Sequence, residues 1–236
     1  MSKQLSLPVS LKDQVTFDNF IVGENQQLVS HLQNLLVPEQ SGPSLAWLTY
    51  FFAETGLGKS HLLFSTCYLA EKNNHSCVYL SFKDKEYLSV EMLEGLELYD
   101  LVCFDDVELI EDDLPWQVAL FDLINRVKEQ GQSKLIIAGR FPLQSLPLQL
   151  PDLVSRLSWG VSFRLVALED VERCNALIIR AEQRGLSMPM EVAKFLINHL
   201  QRDLPALMQS LDKLDEFSLQ QQRKLTIPFV KSTLNL

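Results

Sequence analysis

Between residues 17 and 166 the chain alternates short, nearly continuous apolar runs with longer amphipathic stretches. The runs fall at 45–52 (Leu-Ala-Trp-Leu-Thr-Tyr-Phe-Phe), 77–82 (Cys-Val-Tyr-Leu-Ser-Phe), 101–105 (Leu-Val-Cys-Phe-Asp), 134–139 (Lys-Leu-Ile-Ile-Ala-Gly) and 161–165. Apolar residues at consecutive positions suit strands covered on both faces, as in a parallel sheet. Helical stretches lie between the runs, the clearest being Leu114–Gln130, ended by Gly131. This pattern predicts a three-layer α/β domain.

After residue 166 the strand pattern stops. A helix over 169–184 ends at Gly185, and helical stretches at 189–200 and 204–217 follow. The last segment opens Thr226-Ile227-Pro228, a cap with proline in the first turn. At the other end, residues 1–15 are polar, lack periodicity and are interrupted by Pro8. The expected organisation is a flexible arm over 1–15, an α/β nucleotide-binding domain over 16–166 and a small all-helical domain over 167–236.

Composition narrows the function classes. The 236 residues are 47% hydrophobic and 22% charged, which is ordinary for a globular protein. The net charge of −9 argues against a broad electrostatic grip on DNA, because non-specific binding is mainly Lys and Arg on phosphate. Nucleotides and proteins fit the charge better as partners. No apolar run spans a bilayer, and the first residues lack the layout of a signal peptide, so a cytoplasmic protein is expected. Cys67, Cys77, Cys103 and Cys174 have no metal-ligand spacing and read as reduced thiols. His31, His75 and His199 share no ligand spacing either. Trp47, Trp116 and Trp159 are too dispersed for a base-stacking platform, and Met188 and Met190 read as helical packing.

The strongest chemical signal follows the first strand. Ala53-Glu54-Thr55-Gly56-Leu57-Gly58-Lys59-Ser60 precedes the helix opening His61-Leu62-Leu63. A P-loop cradles phosphates on the backbone N–H groups of Thr55, Gly56, Leu57, Gly58 and the helix start, through His61. Lys59 supplies charge to the outer phosphates and Ser60 a hydroxyl to Mg²⁺. Ala53 departs from the usual first glycine and fits only if its φ stays negative. The strand Leu101-Val102-Cys103-Phe104 ends in Asp105 and Asp106. Beside a P-loop these read as a metal-shell acid, Asp105, and an acid at the attacking-water position, Asp106.

Two stretches then resemble a known family. Thr16-Phe17-Asp18-Asn19-Phe20 with Gly23-Glu24-Asn25, and the run from Thr55 to Leu63, are similar to the bacterial replication initiator DnaA. The resemblance implies an AAA+ module of the initiator clade followed by its helical lid, with the C-terminal DNA reader of DnaA absent. Gln4-Leu5-Ser6-Leu7-Pro8, the run from Leu150 to Gly160, and Arg223-Lys224-Leu225-Thr226-Ile227-Pro228-Phe229-Val230-Lys231 resemble the Hda family, DnaA-homologous regulatory inactivators of DnaA.

That resemblance implies a function and a set of roles. The protein would hold ADP, or ATP, with Mg²⁺, bind the DNA polymerase III sliding clamp loaded on DNA, and promote ATP hydrolysis by DnaA. It would have no sequence-specific DNA binding and no membrane association; self-association is left open. Gln4, Leu5, Ser6, Leu7 and Pro8 match the clamp-binding peptide. Arg156 matches an arginine finger acting in trans, the alternative being an ion pair with Asp152 one turn away. Arg202 matches the lid arginine called sensor 2, the alternative being a solvated helix-start arginine. Arg140 stands where the initiator clade has an acidic sensor 1 residue, which implies weak intrinsic ATPase activity and a vestigial Asp106, unless the alignment slips by one residue. A self-contained ATPase such as a helicase loader, or a nucleotide-stabilised clamp-binding scaffold, are the competing functions.

Overall fold

A computed structural model describes residues 15–37, 47–200, 204–221, 224–234 and 236. The expected clamp peptide, Gln4 to Pro8, and the expected lid arginine, Arg202, lie outside the described residues.

The sheet has five strands: β1 (Leu48–Phe52), β2 (Cys77–Ser81), β3 (Leu101–Asp105), β4 (Lys134–Gly139) and β5 (Val161–Arg164). Their order is β2-β3-β4-β1-β5, and every pairing is parallel. The alternation of side chains along each strand explains why the runs read as continuously apolar. Leu48, Tyr50, Val102, Phe104, Leu135 and Ile137 face one core, under α3 (Leu114–Gln130) and α4 (Pro151–Leu157). Phe51, Leu101, Cys103, Ile136 and Ala138 face the other, under α1 (Gln26–Asn34) and α2 (Lys59–Lys72). Both faces need apolar residues, so the period-2 pattern of a half-exposed strand disappears.

The helical part packs α5 (Asp170–Gln183), α6 (Met190–His199), α7 (Leu204–Gln221) and α8 (Ile227–Leu234) around Leu177, Leu196, Leu211, Leu214 and Val230. Two of its helix boundaries are those the sequence suggests, whereas α7 runs on to Gln221, past the expected end at 217. Gly185 ends the first lid helix with φ of 76°, and the Thr226 hydroxyl accepts from the Phe229 N–H at 3.4 Å. Met188 belongs to this core, whereas Met190 is 38% exposed.

One glycine decides how β5 joins the sheet. A Cβ on Gly160 would stand 2.1 Å from the Leu48 carbonyl oxygen, closer than any side chain permits. The turn 158–160 therefore lies directly against β1, with Trp159 held at its outer edge.

Candidate functional site

The site forms where β1 and β3 deliver their C-terminal ends, the usual ligand position in an open parallel sheet. Residues 53–58 turn the chain from β1 into α2. Gly56 and Gly58 have φ of 86° and 100°, conformations that L side chains rarely adopt. A Cβ on Gly58 would also press on the Phe20 ring at 3.1 Å. Ala53 is not among the described residues with positive φ, so the departure from the usual glycine is geometrically harmless.

Lys59 is buried, and its ammonium donates to the carbonyls of Ala53 at 2.8 Å and Glu54 at 3.4 Å. Those carbonyls hold it over the loop. The Ser60 hydroxyl donates to Asp105 Oδ2, the Tyr79 hydroxyl donates to the same oxygen at 3.1 Å, and the Asp106 N–H donates to Oδ1 at 2.9 Å. Asp105 is fully buried. Burial pushes its carboxyl above the usual range, partly offset by the Ser60 and Tyr79 hydrogen bonds. A serine oxygen and a carboxylate oxygen in contact at the phosphate-loop helix are hard donors of the kind Mg²⁺ takes beside a substrate phosphate.

Asp106 has φ of 57°, in the left-handed region. Its Oδ2 lies 2.9 Å from the Lys83 ammonium and accepts from Ser81 Oγ at 3.4 Å. Between the sheet end and the lid is a cavity of about 380 Å³, bounded by the P-loop, Asp106, Lys83, Phe20, Arg180 and Met208, among others. That volume lies within the range of small-molecule sites.

The roof is attached through His61. Its Nε2 lies 3.0 Å from the Thr16 carbonyl and its Nδ1 lies 3.2 Å from Arg180 Nη2 on α5. A carbonyl can only accept, so Nε2 carries the proton and Nδ1 receives the guanidinium N–H. Burial, with the Arg180 charge adding to it, depresses the imidazole to about 4. His61 therefore joins α2 to the lead-in segment and to α5. The floor is tied in a similar way: Asn25 accepts from the Val166 N–H at 2.7 Å and donates to its carbonyl at 3.0 Å.

Arg156 is elsewhere. Its guanidinium lies 3.9 Å from the Trp159 ring centroid and 5.1 Å from that of Phe121, and its Nε is buried without a hydrogen-bond partner. The Lys128 ammonium also sits over Trp159, at 3.4 Å. The alternative pairing of Arg156 with Asp152 is not formed among the described residues, and Arg156 does not line the cavity. Arg140 is half exposed, with Nε 3.3 Å from Glu54 Oε2 and its N–H donating to Glu108 Oε2 at 3.0 Å. Its side chain lies along the rim and is absent from the cavity wall. Burial raises the Glu108 carboxyl. The four thiols are free, and no metal-binding group of His, Cys, Asp or Glu occurs among the described residues.

Comparison with known proteins gives this geometry a family. A family model described as the bacterial DnaA ATPase domain matches residues 11–164, well over half of the chain. The chain belongs to the bacterial DnaA ATPase-domain family. Within that family it is Hda-like, since a second model, the Hda lid domain, matches residues 170–234. Domain III of DnaA from Thermotoga maritima superposes with a TM-score of 0.79 at 22% identity, covering 95% of this chain and 97% of that one. AMPPCP-bound DnaA from Aquifex aeolicus gives 0.70 at 21% identity, covering 89% and 67%. A point variant of RuvB from Thermotoga maritima gives 0.71 at 14% identity, covering 95% and 72%, a likeness of AAA+ fold alone.

Three residues of this DnaA-type site escaped the motif reading. Lys83 follows β2 with no pattern to mark it. Tyr79 is brought to Asp105 by the β2–β3 register, which pairs Ser81 with Asp105. Arg180 sits one helical turn from Ala176, and both line the cavity. Helical spacing would have shown that these two share a face, but not that the face looks onto a P-loop.

Proposed function

We propose that this chain is a nucleotide-holding regulator of replication initiation that, with the DNA-loaded sliding clamp, promotes ATP hydrolysis by DnaA and so inactivates it. The observation that carries this reading is the placement of Arg156. On a DnaA-type core joined to an Hda-type lid, its guanidinium is stacked on Trp159, outside the chain's own cavity. An arginine there cannot serve its own nucleotide without a large rearrangement, but it can reach one bound by a neighbouring module. A guanidinium delivered in trans stabilises charge on the transferring phosphoryl group, an effect on the order of 10³–10⁵ in rate.

The cavity supports a nucleotide as the resident ligand. Lys59 and the P-loop N–H groups would hold the phosphates of ADP or ATP, and Ser60 and Asp105 would hold Mg²⁺. When bound, the ion would neutralise phosphate charge. Asp106 would orient the attacking water, Arg202 would act as the lid arginine, and Gln4 to Pro8 would bind the clamp. No described helix is long and apolar enough to cross a membrane, and the proposed replication role belongs in the cytoplasm.

The test is single-turnover hydrolysis of ATP pre-bound to DnaA, with clamp-loaded DNA present. Arg156→Ala should keep clamp and nucleotide binding and lose the stimulation. Full stimulation by that variant would remove the finger role and leave a scaffold in its place.

A further inference from the structure

The two acids at the end of β3 are partnered differently. Asp105 is surrounded by neutral donors: the Ser60 and Tyr79 hydroxyls and a backbone N–H. Asp106 already has a cation, the Lys83 ammonium at 2.9 Å, supported by the Ser81 hydroxyl. The pair is asymmetric in exposure. Asp106 is 9% exposed at its side chain and Lys83 62%, so the lysine reaches from the rim down to a sunken carboxylate. Both residues line the cavity. Among the described residues, the other Lys and Arg side chains on that wall are engaged elsewhere, Lys59 on the loop carbonyls and Arg180 on His61.

We infer that Lys83 is an autoinhibitory counter-ion: it occupies the carboxylate that would otherwise orient a hydrolytic water, so the isolated protein keeps a nucleoside triphosphate intact. The inference rests on the reading of this cavity as a nucleotide site. Hydrolysis forms a bond from water oxygen to the γ-phosphorus and breaks the bond to the bridging oxygen, which leaves with its electron pair as part of ADP. The water proton has to pass to a base within hydrogen-bond reach. An Asp106 oxygen committed to an ammonium is not free to hold that water. Lys83 also cancels a negative charge on the cavity wall, which would ease the repulsion of a triphosphate, the more highly charged ligand, more than that of a diphosphate.

The Lys83 side chain is mostly exposed, so its replacement leaves the core intact. Lys83→Met and Lys83→Arg are compared with the parent by calorimetric titration of ADP and ATP with Mg²⁺, and by single-turnover hydrolysis. Lys83→Met should hydrolyse bound ATP about a hundredfold faster or more, since a positioned general base contributes about 10²–10⁴-fold. Its affinity for ATP should fall relative to that for ADP. Lys83→Arg should behave as the parent, and Asp106→Asn in the Lys83→Met background should return the rate to the parent's. A Lys83→Met rate at or below the parent's, an unchanged ATP-to-ADP affinity ratio, or a gain that survives Asp106→Asn would each overturn the inference. A parent that binds neither nucleotide would overturn the nucleotide-site reading itself, an outcome distinct from these.

Discussion

Arg180 on α5 donates to Nδ1 of His61 on α2 at 3.2 Å, and the same imidazole holds the Thr16 carbonyl through Nε2 at 3.0 Å. One neutral side chain thus ties the first lid helix and the lead-in segment to the phosphate-loop helix. A ligand in the cavity would meet both the P-loop and α5, and this contact is one that joins them.

That bridge makes stability depend on acid. The folded His61 titrates at about 4, below its ordinary 6.5, because burial and Arg180 disfavour the imidazolium. A depressed histidine contributes stability that is complete above pH 6.5 and is lost as the pH falls toward 4, where the unfolded chain binds the extra proton first. The shift corresponds to at most about 3.4 kcal/mol. Thermal unfolding followed from pH 7 to pH 5 should show a loss that His61→Gln largely removes. An equal acid loss in the variant would place the titration elsewhere.

Asn25 closes the floor of the cavity with two hydrogen bonds to the Val166 backbone, and it is 4% exposed. Asn25→Ala leaves a buried N–H and carbonyl without partners. The expected cost is about 2–3 kcal/mol, within the range for orphaned buried polar groups. Denaturant unfolding should show the midpoint fall. Nucleotide affinity should fall with it, because Asn25 and Val166 both line the cavity. Unchanged affinity in the destabilised protein would separate the Asn25–Val166 pairing from the site.

Trp159 carries Arg156 on its ring, with the guanidinium 3.9 Å from the ring centroid and the buried Nε without a hydrogen-bond partner. Such contacts contribute about 0.5–2 kcal/mol. Trp159→Ala should weaken stimulation of DnaA without altering the chain's own nucleotide affinity, and Trp159→Phe should recover part of it. A Trp159→Ala variant as stimulatory as the parent in single-turnover assays would show that the ring does not position Arg156 for the proposed finger role.

Much of this architecture is legible in the chain itself, for local reasons. A β1–loop–α2 unit with Gly56, Gly58, Lys59 and Ser60 is contiguous, and each residue's task depends on backbone conformation over a few positions. Strands buried on both faces announce themselves by uninterrupted apolar runs, and Gly131, Gly185 and Thr226 mark helix ends through their own φ preference or hydroxyl. The two acids of β3 are readable because they end such a strand.

The pairings that give the site its character are not local. Lys83 and Asp106 are separated by the whole of β3, His61 and Arg180 by the entire rest of the sheet, and Asn25 meets Val166 across 141 residues. No periodicity links such positions, since each contact exists only once parallel strands are ordered β2-β3-β4-β1-β5 and the lid is laid over their ends. Chain pattern determined which residues could bind a phosphate. Tertiary packing decided which of the charged ones are already spoken for, because side-chain pairing is a matter of a few ångströms in space and not of distance along the backbone.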